Sequence, residues 1–147
     1  MRKDERKMNK IAVAYWSNTG NTQEMGEEIV HGVEEAGGKA DMMLIDELDI
    51  DAYDIIAFGC PASGQEALNT MFRASYTDMR PLLKGHHVAL FGSYGWGGGI
   101  WMTKWVQQAK EDGMILVADP IICKKKPDEE TRAACRRMGM ALATIVL

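Results

Sequence analysis

Ile11-Ala12-Val13-Ala14-Tyr15-Trp16-Ser17-Asn18-Thr19-Gly20-Asn21-Thr22 is the stretch on which the fold turns. An apolar, β-branched run stops at Tyr15 and gives way to hydroxyls, amides and one glycine. Past the loop Met25, Ile29, Val30 and Val33 recur at three- and four-residue steps, the period of a helix face. A strand, a tight polar loop and a helix start make a phosphate site. The first N–H groups of a helix lack internal acceptors and lie at the positive end of its dipole. Ser17, Thr19 and Thr22 add hydroxyl donors beside Gly20, and Asn18 and Asn21 add amides. The loop holds no lysine or arginine, whereas sites that move a phosphoryl group supply cationic charge. It reads as a loop that holds a phosphate still, in a pocket expected to be uncharged.

Working outward, strand and helix patterns alternate. Strands are expected at about 10–15, 40–44, 54–59, 87–92 and 114–122, and helices at about 22–36, 69–83, 100–112 and 128–145. Gly37-Gly38, Gly85 and Gly113 sit where helical segments should stop, and Pro127 near the start of the last one. A short acidic connection, 46–53, precedes the third strand. Five apolar strands alternating with amphipathic helices predict a three-layer, doubly wound α/β sandwich on a five-stranded parallel sheet. With 147 residues, 46% of them hydrophobic, the chain suits one core, so residues 10–147 are expected to form one domain. Residues 1–9 are charged and read as a disordered tail, with no apolar segment marking a secretory signal.

The net charge of −4 disfavours non-specific nucleic-acid binding. No apolar run is long enough to span a bilayer. Cys60, Cys123 and Cys135 form no CxxC pair, which fits neither a zinc site nor an iron–sulfur cluster. Their odd number favours a reducing cytoplasm. Cys60 is expected in the core, as are Trp101 and Trp105, four apart on a helix; His31 and Lys124–Lys126 are expected in solvent.

In open α/β sheets ligands bind beyond the carboxyl ends of the strands. The polar or glycine-rich loops after strands one, three and four must therefore converge. The second loop carries Ala62, Ser63, Gly64, Gln65 and Glu66, and the third Ser93, Tyr94, Gly95, Trp96 and Gly97. Trp96 stands between glycines and can lie flat on a planar ligand. Gly64 allows a positive φ and a rotating peptide plane. Glu66 can accept from a ring N–H.

Tyr15–Thr22, Gly59-Cys60 with Gly64 and Glu66, and Ala89-Leu90-Phe91-Gly92-Ser93-Tyr94-Gly95-Trp96-Gly97 together resemble the flavodoxins, in particular the short-chain clostridial type. The likeness runs from about Lys10 to the C-terminus. Flavodoxins are themselves the reference case for strand order 2-1-3-4-5 with FMN at the switch point, so that order comes with the resemblance. The resemblance implies that Ser17, Asn18, Thr19, Gly20, Asn21 and Thr22 wrap the FMN phosphate and that Trp96 stacks on the isoalloxazine. It places the Gly64–Gln65 peptide near flavin N5, to flip on reduction, and gives Glu66 the ring N3–H. Ala62 and Ser63 belong to the same loop, and Ser93, Tyr94, Gly95 and Gly97 line the ring and ribityl side.

Departures from the family pattern stand out. Ser63 replaces a usual methionine, and Gln65 and Gly98 stand where acids are common. Pro61 replaces a small hydroxyl residue, and Gly26 an alanine. Fewer negative charges near the ring should make the lower redox couple less negative than in acidic relatives. The implied function is a soluble, monomeric, low-potential one-electron carrier in the cytoplasm, shuttling between redox enzymes with no nucleic-acid or membrane partner. The alternative is an FMN-dependent NAD(P)H or quinone oxidoreductase of the same fold, although such enzymes usually carry longer insertions. The aspartate cluster of a receiver domain is absent, and so is a G-x-x-x-x-G-K-[ST] string; Ile100 breaks a GxGxxG reading of the third loop.

Overall fold

Strand alternation places two sets of side chains on two faces, and the structure, a computed structural model, shows both buried. It describes residues 8–64 and 67–147. The elements are β1 (Lys10–Tyr15), α1 (Asn21–Glu35), β2 (Lys39–Leu44), β3 (Ile55–Gly59), β4 (Ala62–Ser63), β5 (Ala67–Leu68), α2 (Thr70–Met79), β6 (His87–Tyr94), α3 (Ile100–Glu111), β7 (Ile115–Leu116), β8 (Ile121–Lys124) and α4 (Glu129–Thr144). The sheet runs β2-β1-β3-β6, with β7 and β8 both beside β6, and every pair in it is parallel. This is the expected 2-1-3-4-5 order, with the fifth position made in two pieces.

Ala12, Ala14, Ile56, Phe58, Val88 and Leu90 meet Phe72 and Tyr76 of α2 and Trp101 and Trp105 of α3. Ile11, Val13, Ile55, Ala57, Ala89 and Phe91 meet Met25, Ile29 and Val33 of α1 and Cys135, Met138 and Leu142 of α4. Strands covered on both faces need the near-continuous apolar runs this sequence has. The Trp105 indole N–H donates to Tyr76 Oη at 3.0 Å, whereas the buried Trp101 Nε1 of the same cluster has no hydrogen-bond partner among the described residues. Helices α1 and α4 meet at backbone distance: a Cβ on Gly32 would stand 1.9 Å from Arg136 O, and one on Gly139 2.0 Å from Ile29 O.

Three expectations change. The fifth strand, expected unbroken over 114–122, is interrupted at 117–120, because Pro120 has no N–H for the ladder. The second expected helix, 69–83, splits into α2 and a 3-10 turn, Arg80–Leu82, around Pro81, with Asn69 as the cap of α2. The loop after β3 is a hairpin, with Ala62 opposite Leu68 and Ser63 opposite Ala67. The tail expected at 1–9 lies mostly outside the described residues. Asn9 Nδ2 donates to the carbonyls of Leu142 and Ile145 at 2.9 and 2.8 Å.

Candidate functional site

Parallel strands carry all their carboxyl ends to one edge. Tyr15 is level with Gly59, Gly59 with Phe91, and Phe91 with Ile121. β6 and β8 then continue together to Tyr94 and Lys124, beyond that line. The loop after β1, the hairpin after β3, and the turns after β6 and β8 therefore share a rim.

The loop after β1 is held from within. Gly20 takes φ 92, a left-handed conformation that suits glycine, and caps α1. Ser17 Oγ accepts the Gly20 N–H at 3.0 Å and the Gln23 N–H at 3.4 Å. Trp16 Nε1–H donates to Asn18 Oδ1 at 3.0 Å, which leaves the Asn18 NH2 as a donor for something else. The first helical bond is Glu24 N–H to Gly20 O, and the N–H groups of Asn21 and Thr22 have no acceptor among the described residues. Thr22 Oγ1 lies 2.8 Å from Ser93 Oγ and also accepts the Ser93 N–H at 3.3 Å. Of the two hydroxyl protons in that pair, one closes the mutual bond and one is left over.

A cleft of about 230 Å³ opens here, lined by Asn18, Thr19, Asn21, Pro61, Ala62, Ser93, Tyr94, Gly95 and Lys125. Seven of the sixteen expected site residues line it: Asn18, Thr19, Asn21, Ala62, Ser93, Tyr94 and Gly95. Ser17, Gly20 and Thr22 are not among its lining residues; Ser17 Oγ accepts two N–H groups of the loop and keeps its own O–H proton to donate. Ser63, Gly64, Trp96 and Gly97 are not part of the cleft wall. Gly64 takes φ 49 where the hairpin turns. Trp96 is 65% exposed, which excludes a role as a core cap and leaves its ring free to receive a planar ligand. Gln65 and Glu66 lie outside the described residues.

The expectation of an uncharged pocket is corrected by Lys125. It lines the cleft, 100 or more positions from the loop it faces, because the turn after β8 reaches the same rim. The rule that gathered the loops after strands one, three and four applies equally to strand five, and would have found it. Trp16, which orients Asn18, was also missed; its place next to the polar loop was the available signal. Burial keeps the Cys60 thiol well above its usual range, despite the N–H of Asn69 donating to its sulfur, so it is a packing group at the base of the hairpin. Trp101 and Trp105 are buried and His31 is exposed, as expected.

The donor set suits a phosphate: free helix N–H groups, an amide NH2, hydroxyls and one ammonium, with no carboxylate among the described lining residues. No helix among the described residues is long and apolar enough to cross a membrane, and no described cluster of His, Cys, Asp or Glu could hold a metal ion.

Comparison with known proteins gives the same picture. A sequence model of the flavodoxin family matches residues 13–139. The chain is 37% identical to a flavodoxin of Megasphaera elsdenii, over 90% of this chain and 98% of that one. It is 36% identical to a flavodoxin of Clostridium beijerinckii, over 92% of this chain and 100% of that one. The solution structure of the two-electron reduced Megasphaera elsdenii flavodoxin superposes with a TM-score of 0.81 at 37% identity, over 90% of this chain and 98% of that chain.

Proposed function

The chain belongs to the flavodoxin family, FMN-binding low-potential electron carriers rather than enzymes, and we propose that it holds FMN by its phosphate in the cleft between α1, the β4–β5 hairpin and the end of β6. The observation that carries this reading is the convergence of Asn18, Thr19, Asn21, Ala62, Ser93, Tyr94 and Gly95 on one cleft. The N–H groups of Asn21 and Thr22, the Asn18 NH2, the Thr19 hydroxyl and the spare proton of the Thr22–Ser93 pair bind the phosphate oxygens. Ser17 and Gly20 hold that loop in shape. Trp96 covers one ring face, Ala62, Ser63 and Gly64 approach from the hairpin, and Tyr94, Gly95 and Gly97 line the remainder. Gln65 and Glu66 complete the ring contacts in the same reading.

FMN, when bound, supplies the one-electron chemistry. The protein excludes water from part of the ring, fixes its orientation and sets the charge around it. Hydrogen bonds to a charged group are worth about 1.5–3 kcal/mol each, without adding cleanly. With ring burial they bring nanomolar affinity, about −12 kcal/mol, within reach. The chain works as a monomer in the cytoplasm, meeting donor and acceptor redox enzymes through transient contacts. Its three free, buried cysteines support a reducing compartment.

Stepwise anaerobic reduction with dithionite, followed by visible spectroscopy, tests the carrier function. Two resolved one-electron stages are expected. A single two-electron step, or rapid NADPH-driven quinone turnover without an added reductase, would count against it.

A further inference from the structure

We propose that Lys125 is a phosphate-binding residue of this cleft and gives FMN binding a charge-dependent component that riboflavin binding lacks. The inference rests on the reading that the cleft holds FMN. Lys125 is the only charged residue among those described as lining it, and it shares that lining with Asn18, Thr19 and Asn21. Its place is fixed by the backbone: its N–H donates to Tyr94 O at 2.7 Å, tying the turn to the end of β6.

Lys125 is also the one non-glycine residue among those described with a positive φ, at 61°. Glycine or asparagine takes that left-handed conformation with less strain. A lysine held there, with its N–H anchored on the rim, is a strained choice at a ligand site. Two nearby cations are already engaged. Lys126 Nζ lies 3.9 Å from Glu24 Oε1, and Arg132 lies 3.5 Å from Glu24 and 3.3 Å from Glu28. Lys125 has no carboxylate within ion-pair distance among the described residues. Its charge is therefore unspent beside a donor set that selects an anion. A point charge reaching the rim on a flexible stem adds attraction without demanding a fixed geometry. The neutral donors orient the phosphate; Lys125 adds an attraction that salt screens.

The test is fluorescence titration of the apoprotein with FMN and with riboflavin, at about 50 mM and about 500 mM salt. Lys125→Asn is the variant, because asparagine tolerates the left-handed backbone, and Lys126→Gln is the control. Lys125→Asn should weaken FMN binding about tenfold at low salt. It should leave riboflavin binding within about twofold and flatten the salt dependence for FMN. Lys126→Gln should change neither. Wild-type affinity for FMN in Lys125→Asn, or equal losses for FMN and riboflavin, would overturn the proposal while leaving the FMN reading standing. Failure of the wild-type apoprotein to bind FMN would overturn both.

Discussion

Thr22 Oγ1 in the first turn of α1 and Ser93 Oγ near the end of β6 lie 2.8 Å apart, although 71 positions separate them. Both residues are buried. The contact fastens the phosphate loop to the strand that carries the ring loop, so the two halves of the site cannot drift independently. A buried hydroxyl deprived of its partner carries a penalty of about 1–3 kcal/mol. Thr22→Val keeps the shape, removes the hydroxyl and leaves the Ser93 N–H without its acceptor. Urea unfolding of the apoprotein should show a loss of about 1–2 kcal/mol, and FMN affinity should fall about tenfold. Wild-type values for both would show that the contact does not organise the site.

Trp96 separates binding from folding. Being 65% exposed, it contributes little to the core. Trp96→Ala should leave apoprotein stability within about 0.5 kcal/mol. Affinity for both FMN and riboflavin should fall at least about 3- to 10-fold, because stacking acts on the ring and not on the phosphate. Unchanged riboflavin affinity would remove Trp96 from the ring contacts.

The α1–α4 seam has no room for a methyl group. The Cβ of Gly139→Ala would stand 2.0 Å from Ile29 O, a backbone atom that cannot move alone. Overpacking of this kind costs about 3 kcal/mol, more than the helix propensity gained by alanine, about 1 kcal/mol. Denaturant unfolding should show the net loss, and a variant as stable as the wild type would mean that the helices separate freely.

Glu28 gives the same seam a pH dependence. Burial alone would raise its pKa, but hydrogen bonds from His31, Arg136 and Arg132 outweigh that and hold it below the usual glutamate value. The nearest contacts are Arg136 at 3.1 Å, His31 at 3.1 Å and Arg132 at 3.3 Å. A depressed folded-state pKa stabilises the protein above the unfolded value, about 4.3. That stability is lost as pH falls through the folded value. The gap in urea midpoint between wild type and Glu28→Gln should be widest near neutrality and close as pH drops below about 4. A gap constant with pH would remove the charge from the explanation.

Gly98 tests how the surroundings set the potential. A Cβ there meets no atom within 4 Å, so Gly98→Asp adds a charge without repacking. Unit charges roughly 10 Å apart in a water-rich medium interact by about 0.4–0.8 kcal/mol. This corresponds to about 20–35 mV for a one-electron couple. Potentiometric titration should find the lower couple more negative by that amount in Gly98→Asp, and less negative in the wild type than in acidic relatives. A shift of the opposite sign would contradict the electrostatic account.

Most of the sheet was legible because β1, β3 and β6 bury both faces and so read as apolar runs, and because Gly37-Gly38 and Gly113 mark helix ends. The β4–β5 hairpin was not: two-residue strands are too short to show alternation, and only the left-handed Gly64 betrays the turn. The break in the fifth strand was signalled by Pro120, set within a run otherwise apolar enough to suggest continuity. In the site, Asn18, Thr19 and Asn21 were visible because they are contiguous with a strand end and a helix start. Lys125 was less visible because it sits in a run of three lysines that reads as a solvated turn, and only its place after β8, level with the end of β6, brings it to the same rim. The close approach of Gly32 and Gly139 to facing carbonyls is a property of two helices together, and neither helix alone announces it.

Gel filtration of the apoprotein after incubation with excess FMN, with the flavin fluorescence of the protein fraction recorded, probes the cleft most directly. One quenched FMN per chain should co-elute with the protein, giving it a yellow colour. A colourless protein peak, with all FMN recovered free and fully fluorescent, would show that the loops at this rim do not hold the cofactor.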